Sequence, residues 1–352
     1  MSSKRAKNQP WELDPKVLRR GMILRAERST ELQAKLAFAA IPALLDHYLE
    51  KCMAVFEAAA RPLLPPQRVE LRGLLARALQ TGFEHSAHAK VVVQFTSDPP
   101  PQSTLSCQIG VEAKGITDIY AGWRVRESGP PYFGAHADAK LLGLLREVAK
   151  GSRALDIGAG TGRNSLPMAA AGLQVDAVEM TPSFVATLRE AAASAKASIN
   201  VLEGDAFDPA LGLPASGYAL ILASEVISSH ARDTADLRDF FQFAADRLAP
   251  GGVLLCNVFV ARSGYAPDLL ARQLSSSVLT SLFSHADLES AVAGLPLALV
   301  SNEPCVAYER EHLPPDAWPP TAWYEAWANG GDLFDLSTQP PCELRWFVFR
   351  KS

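Results

Sequence analysis

The sequence predicts an α/β chain: a seven-stranded, doubly wound sheet preceded by a mainly helical extension that contains a β-hairpin. Three observations predict it. Strand-like runs recur at 153–157, 174–179, 199–207, 218–226 and 253–260, and helical apolar stripes alternate with them. The first run stops in a glycine turn, Gly158-Ala159-Gly160-Thr161-Gly162, that leads straight into a helical pattern. The second ends in an acid, Glu179, about twenty residues beyond that turn.

Leu155 and Ile157 alternate into a buried strand, and the glycines after them let the backbone turn tightly against a ligand. The helix that follows offers unpaired N–H groups. A dinucleotide site wants G-x-G-x-x-G, whereas these glycines fall as G-x-G-x-G with Asp156 just before the first. After a helix through Pro167 to Ala171, Gln174–Glu179 forms the second strand, and its carboxylate is placed to grip ribose hydroxyls. Thr181 caps the next helix, with Pro182 at its first position. Ile199 to Phe207 gives a third strand ending in Asp205, and Tyr218 to Val226 a fourth. Asp233 or Thr234 opens a helix whose Leu237, Phe240, Phe241, Ala244 and Leu248 form one stripe, stopped by Pro250-Gly251-Gly252. Val253–Val260, Pro296–Ser301 and Leu344–Phe349 complete seven strands.

This glycine pattern resembles motif I of class I S-adenosylmethionine (SAM) methyltransferases, and the resemblance covers roughly 130–352. It implies a strand order of 3-2-1-4-5-7-6 with strand seven antiparallel, SAM as cofactor and methyl transfer as the reaction. It also implies that Asp156, Gly158, Ala159, Gly160, Gly162 and Asn164 hold the methionine end, Glu179 and Met180 the ribose, and Asp205, Ala206 and Phe207 the adenine. Ser224 and Glu225, at the end of strand four, and Tyr132, ahead of strand one, complete the expected cofactor shell. Within the superfamily, Gly162-Arg163-Asn164-Ser165 followed by Leu166-Pro167 is similar to the tellurite-resistance type of small-molecule methyltransferase. A compact member of that type needs only about two hundred residues. This chain adds a long extension at 1–125 and, within the 126–352 methyltransferase region, an insertion at 304–343, so a substrate does not carry across.

Transfer of a sulfonium-activated methyl group to a nucleophile depends mainly on alignment. Where the acceptor must lose a proton, Glu225, His230 and His136 lie in segments near the sheet's C-terminal edge, with His230 and Glu225 as the catalytic candidates. The insertion gathers Trp318, Trp323, Tyr324 and Trp327, which with Tyr265 form a candidate acceptor wall; the alternative is that they pack the insertion onto the sheet. The expected activity is methylation of a small, partly apolar or aromatic metabolite. Peptide or protein methylation, with the extension gripping the substrate, and a non-catalytic SAM-binding module are the alternatives.

With 34 basic against 38 acidic side chains the net charge is −4, which gives no pull towards nucleic acid. The strand-four end, Ser224-Glu225-Val226, lacks the Asn/Asp-Pro-Pro-aromatic sequence that amino methyltransferases use on a base or amide. Five scattered cysteines without C-x-x-C spacing suggest neither a disulfide framework nor zinc, and fit a cytoplasmic setting. Glu84, His85 and His88 offer no third ligand at metal spacing, so no metal is expected. No stretch approaches the roughly eighteen apolar residues of a membrane span, and no membrane association is expected.

The extension opens with a polar segment to Pro10. Leu32, Leu36, Ala39, Ala40, Ala43 and Leu44 suggest a helix, Tyr48–Ala60 its continuation, and Val69–Leu79 another between Pro65-Pro66 and Gly82. Val91–Phe95 and Leu105–Ile109 pair as a hairpin across Pro99–Pro101. Patterning does not separate a substrate cover, a homodimerisation arm and a docking domain.

Overall fold

The computed structural model describes residues 14–28, 31–98, 104–113, 115–123, 134–334 and 338–352. They divide into two compact units, one within Met1–Glu84 and Lys90–Glu112, the other within His85–Ala89 and Ala113–Ser352.

The first unit contains helices α1 (Pro15–Arg28), α2 (Leu45–Ala58) and α3 (Pro65–His85) and strands β1 (Gln33–Ala39), β2 (Lys90–Ser97) and β3 (Leu105–Glu112). The strands form one antiparallel sheet in the order β1-β2-β3. The hairpin expected at 91–109 is therefore two strands of three. The segment read as a helix at 32–44 is instead mostly β1: Gln33–Ala39 pairs along its whole length with β2, from Gln33 opposite Thr96 to Ala39 opposite Lys90. Ala34, Leu36 and Phe38 alternate with the exposed Gln33, Lys35 and Ala37. The period of two carried by these residues outweighs the helical spacing of Leu32, Leu36 and Ala39. Phe38 stacks on Tyr48 with ring centroids 4.4 Å apart, and Phe56 meets Phe95 edge-on at 5.5 Å.

The second unit opens with α4 (Ile116–Trp123), a segment the sequence reading counts in the extension, and α5 (Ala139–Leu145). The doubly wound part follows as β4 (Arg153–Ile157), α6 (Ser165–Ala170), β5 (Gln174–Glu179), α7 (Pro182–Ser194), β6 (Ile199–Glu203) and β7 (Tyr218–Ala223). It continues through α8 (Ile227–His230), α9 (Thr234–Arg247), β8 (Leu248–Ala261), α10 (Leu269–Ser277), β9 (Leu282–Phe283) and α11 (His285–Val292). The chain closes with β10 (Leu297–Pro304), α12 (Cys305–His312), α13 (Tyr324–Ala328) and β11 (Cys342–Lys351).

The sheet order is β6-β5-β4-β7-β8-β11-β10, with β9 paired to β8 off this path. β4, β5, β6, β7 and β8 run parallel, whereas β11 inserts antiparallel between β8 and β10. This is the expected 3-2-1-4-5-7-6 arrangement with strand seven reversed. Each face carries a core: Leu155, Ile221, Leu254 and Phe347 pack with Phe240, Phe241 and Phe243 of α9 on one side. On the other, Ala154, Leu220, Leu255 and Trp346 pack with Met168 of α6 and with Tyr324 and Trp327 of α13. Continuously apolar strands such as Tyr218–Ala223 are what burial on both faces requires. Among the described residues no helix is long and apolar enough to cross a membrane.

One capping expectation differs from what is found. Asp233 caps α9 as expected, accepting from the amides of Ala235 and Asp236. Thr181, however, makes no side-chain cap on α7, and its buried Oγ1 has no partner among the described residues. Thr181 is followed by a proline, whose missing N–H leaves one donor fewer to satisfy there.

Candidate active site

The C-terminal ends of β4, β5, β6 and β7 open onto one cavity of about 350 Å³, the size range of small-ligand sites. The site begins where β4 stops. Gly158, Gly160 and Gly162 all have positive φ (68°, 56° and 97°), a conformation that costs residues with a side chain about 1–2 kcal/mol. The amides of Gly158 and Ala159 both donate to the Val178 carbonyl, at 2.9 and 3.0 Å, tying the loop to β5. A Cβ at Gly158 would stand 2.6 Å from Val226 Cγ2, so glycine here lets the loop touch the turn after β7.

At the end of β5 the buried Glu179 carboxylate accepts from the Gly160 amide at 2.9 Å and the Thr181 amide at 2.7 Å. Two backbone donors fix its orientation and leave further acceptor capacity on each oxygen for a diol. Asp156 is buried beneath the loop, accepts from Ser165 Oγ at 2.5 Å, and burial pushes its carboxyl up to about 7. Beyond β6, Asp205, Ala206 and Phe207 line the cavity. Asp205 Oδ1 accepts from the Phe207 amide, and the Phe207 ring lies 4.5 Å from that of Phe243.

The floor is a charge network. Arg163 pairs with Asp138 at 2.6 Å and with Glu225 at 3.0 Å, all three side chains being largely buried. Asp138 also accepts from Asn164 Nδ2 at 2.8 Å and Ser224 Oγ at 2.7 Å. Burial raises the Glu225 pKa, and the Arg163 charge beside it opposes the rise. His230 differs. Its ring is accessible and faces the cavity, while the surrounding protein desolvates it and lowers its pKa, with Asp205 opposing. It is therefore neutral at pH 7 and able to accept a proton. Tyr120, from α4, and Phe184, from α7, add an aromatic wall with centroids 6.2 Å apart. The Tyr120 hydroxyl donates to Ser229 Oγ at 3.0 Å, and burial pushes its pKa up to about 12, so it remains a donor.

Of the residues singled out in the sequence, Asp156, Gly158, Ala159, Gly160, Asn164, Glu179, Met180, Asp205, Ala206, Phe207, Ser224, Glu225 and His230 all line this cavity. Gly162 does not: a Cβ there would meet Leu188 of α7, so its service is to helix packing. Tyr132 lies outside the described residues. The aromatic wall sought in the insertion is elsewhere. Tyr265, Trp318, Trp323, Tyr324 and Trp327 do not line the cavity; Trp327 stands edge-on to Phe259 at 5.0 Å and to Trp323 at 5.5 Å, and Trp318 edge-on to Tyr324 at 5.9 Å. Tyr265 meets Phe334. These rings fix the insertion to the outer half of the sheet, which needs apolar cover there.

Arg163, Phe184, Val226 and Tyr120 are among the lining residues that the sequence reading did not assign to the site. Arg163 lies inside the glycine motif, but nothing in its neighbourhood announces the two acids, 25 residues before and 62 after, that bind it. Phe184 and Val226 follow recognised strands, and their apolar character reads as core. Tyr120 falls by sequence in the 1–125 extension, and only the fold carries it to the cavity.

The donor set fits SAM. Asp156, Glu179, Asp205 and Glu225 make the lining acidic, which suits a sulfonium cation. The lining guanidinium, Arg163, is taken up by two carboxylates, so a pyrophosphate would gain no cation from it. Residues 154–252, spanning the glycine loop to the end of the α9 turn, match a family model described as a methyltransferase domain. The chain carries a SAM-dependent methyltransferase domain. No curated protein sequence matches it. Among solved structures, this methyltransferase is similar to geranyl diphosphate C-methyltransferase from Streptomyces coelicolor A3(2), at 11% identity and a TM-score of 0.49 over 68% of this chain and 99% of that one. It is also similar to a geranyl diphosphate methyltransferase in complex with SAM (15%, TM-score 0.46, 61% and 85%) and to the [4+2]-cyclase SpnF (16%, TM-score 0.45, 63% and 87%). The assignment rests on the domain match and the cavity, not on these distant likenesses.

Proposed function

We propose that this methyltransferase acts on a small, partly apolar or aromatic metabolite, with His230 as the proton acceptor. The observation that carries the reading is the juxtaposition, in one cavity, of the glycine loop, the Tyr120–Phe184 wall and an accessible histidine whose pKa is lowered by desolvation. A cavity of about 350 Å³ suits a cofactor with a compact acceptor, and its apolar walls at Val226 and Ile227 suit a flat or aliphatic one.

When bound, SAM supplies an electrophilic methyl group on a sulfonium. Glu179 would hold its ribose diol with Met180 alongside, the loop at Gly158–Gly160 with Asp156 and Asn164 its methionine end, and Asp205, Ala206 and Phe207 its adenine. The acceptor lies against Tyr120 and Phe184, which exclude water, and its proton passes to His230. Glu225 is a poor base by comparison, because its carboxylate already accepts from Arg163; its part is to hold the floor of the site.

Incubating the protein with SAM and a library of neutral phenols, amines and thiols, read by mass spectrometry, tests this reading. A gain of one methylene unit in a library member that vanishes in His230→Gln supports it. Methylation confined to peptides would favour the peptide-modifying alternative.

A further inference from the structure

Two unfavourable features meet at one hydrogen bond behind the cavity. Glu225, just after β7, has a backbone φ of +62°. Among the described residues Ala60, Lys196 and Leu279 are the other non-glycine positions with positive φ, and none of them lines the cavity. Such strain persists only where surrounding structure holds it. Here the hold is visible: the Glu225 amide donates to Asn257 Oδ1 at 2.7 Å. Asn257 is fully buried on β8, between Cys256 and Val258, and its Nδ2 has no hydrogen-bond partner among the described residues. A backbone N–H can face only the amide oxygen, so this bond itself dictates which end of the amide is left unpaired. In a strand otherwise apolar from Val253 to Ala261, a hydrocarbon side chain would remove that cost.

We propose that Asn257 is a positioning residue of the methyltransferase site, holding the turn after β7 in its left-handed conformation. The turn has four attachments to the site. Glu225 Oε1 accepts from Arg163, and the Glu225 carbonyl accepts from Ser228 Oγ at 3.2 Å and Ser229 Oγ at 3.3 Å. Ser229 Oγ in turn accepts from the Tyr120 hydroxyl. The next residue, Val226, lies against Gly158 with no room for a Cβ between them. His230 follows at the end of the same short helix, its amide bonded to the Val226 carbonyl. Letting Glu225 relax to negative φ would move Val226 against the glycine loop and turn His230 and Ser229 away from Tyr120. Asn257 itself lies outside the cavity lining and acts entirely through this turn.

The inference rests on the cavity being the SAM site, and its test separates the two claims. Asn257→Thr keeps the volume and suits a strand, but its hydroxyl stops one bond short of the Oδ1 position. Asn257→Asp keeps an acceptor oxygen at the Oδ1 position, its buried carboxyl neutralised by a proton. Affinity for S-adenosylhomocysteine, measured by calorimetry, falls about tenfold in Asn257→Thr and stays within about threefold in Asn257→Asp, while both melt within a few degrees of the parent. In parallel, hydrogen exchange at the Glu225 amide is slow in the parent and in Asn257→Asp and fast in Asn257→Thr. Equal affinities in both variants and the parent, or equal weakening in both, overturn the proposal. So does rapid exchange of the Glu225 amide in the unmodified protein, a result that needs no variant to fold. If the parent binds no S-adenosylhomocysteine, the SAM assignment fails, and the exchange data alone decide whether Asn257 holds the turn.

Discussion

The contact between Gly158 and Val226 gives a quantitative test of how the cofactor loop is built. Gly158→Ala imposes two separate penalties. The first is backbone strain: at φ +68° an alanine pays about 1–2 kcal/mol. The second is steric, because its Cβ would lie 2.6 Å from Val226 Cγ2, about 1 Å inside normal carbon contact. Overpacking of this kind costs about 1–3 kcal/mol, for a total of about 2–5 kcal/mol. The second penalty disappears when the obstructing methyl is removed. Val226→Ala alone costs about 1 kcal/mol or slightly more for a half-buried side chain. The double variant is therefore more stable than the sum of single effects by about 1–3 kcal/mol. Urea unfolding of the four proteins measures the cycle. Effects that add to within about 0.5 kcal/mol would show that Val226 does not abut the loop and that backbone conformation is the whole reason for glycine at 158.

Other consequences are equally direct. Glu179→Ala removes the acceptor of two amides and of a bound diol; at about 1.5–3 kcal/mol for each hydrogen bond to a charged group, S-adenosylhomocysteine affinity falls by at least about tenfold in calorimetry. Trp327→Ala costs about 3–5 kcal/mol in denaturant unfolding, because the ring is buried against Phe259, but leaves S-adenosylhomocysteine affinity within about threefold; a large affinity loss would return the insertion to the site. His230→Gln lowers turnover of an identified acceptor by about 10²–10⁴. The parent's pH profile of kcat/KM should show an acid limb below the ordinary histidine value of 6.5, and a limb above it would contradict burial as the cause. Asp156, raised from 3.8 to about 7, binds its proton more tightly folded than unfolded. Its contribution to stability is present below about pH 4 and lost as pH rises to about 7, so Asp156→Asn gains melting temperature relative to the parent at alkaline but not at acidic pH. An unchanged difference across that range would refute the assignment.

The sheet was legible because its strands are buried on both faces and read as uninterrupted apolar runs, and because Gly158–Gly162 and Glu179 mark where two of them end. Most residues expected at the site line the cavity, since they stand at or just beyond strand ends that the sequence locates. Residues brought together across the chain were not legible. Arg163 meets Asp138 and Glu225, and Asn257 meets the Glu225 amide, only through the sheet order. Aromatic density at 318–327 left a ligand wall and core packing both open, and Trp327 and Tyr324 are core, because burial of a ring and contact with a ligand leave the same trace in composition. The segment at 33–39 misled for a different reason: alanine and leucine suit a helix locally, and pairing with β2 overrides that preference.

The central claim is that the cavity at the ends of β4 to β7 takes SAM. Titration calorimetry of the folded protein with SAM, S-adenosylhomocysteine and NAD tests it most directly. The account predicts saturable binding of both adenosyl ligands, weakened by Glu179→Ala, and none of NAD. Absence of heat with either adenosyl ligand, or binding of NAD in their place, would contradict it.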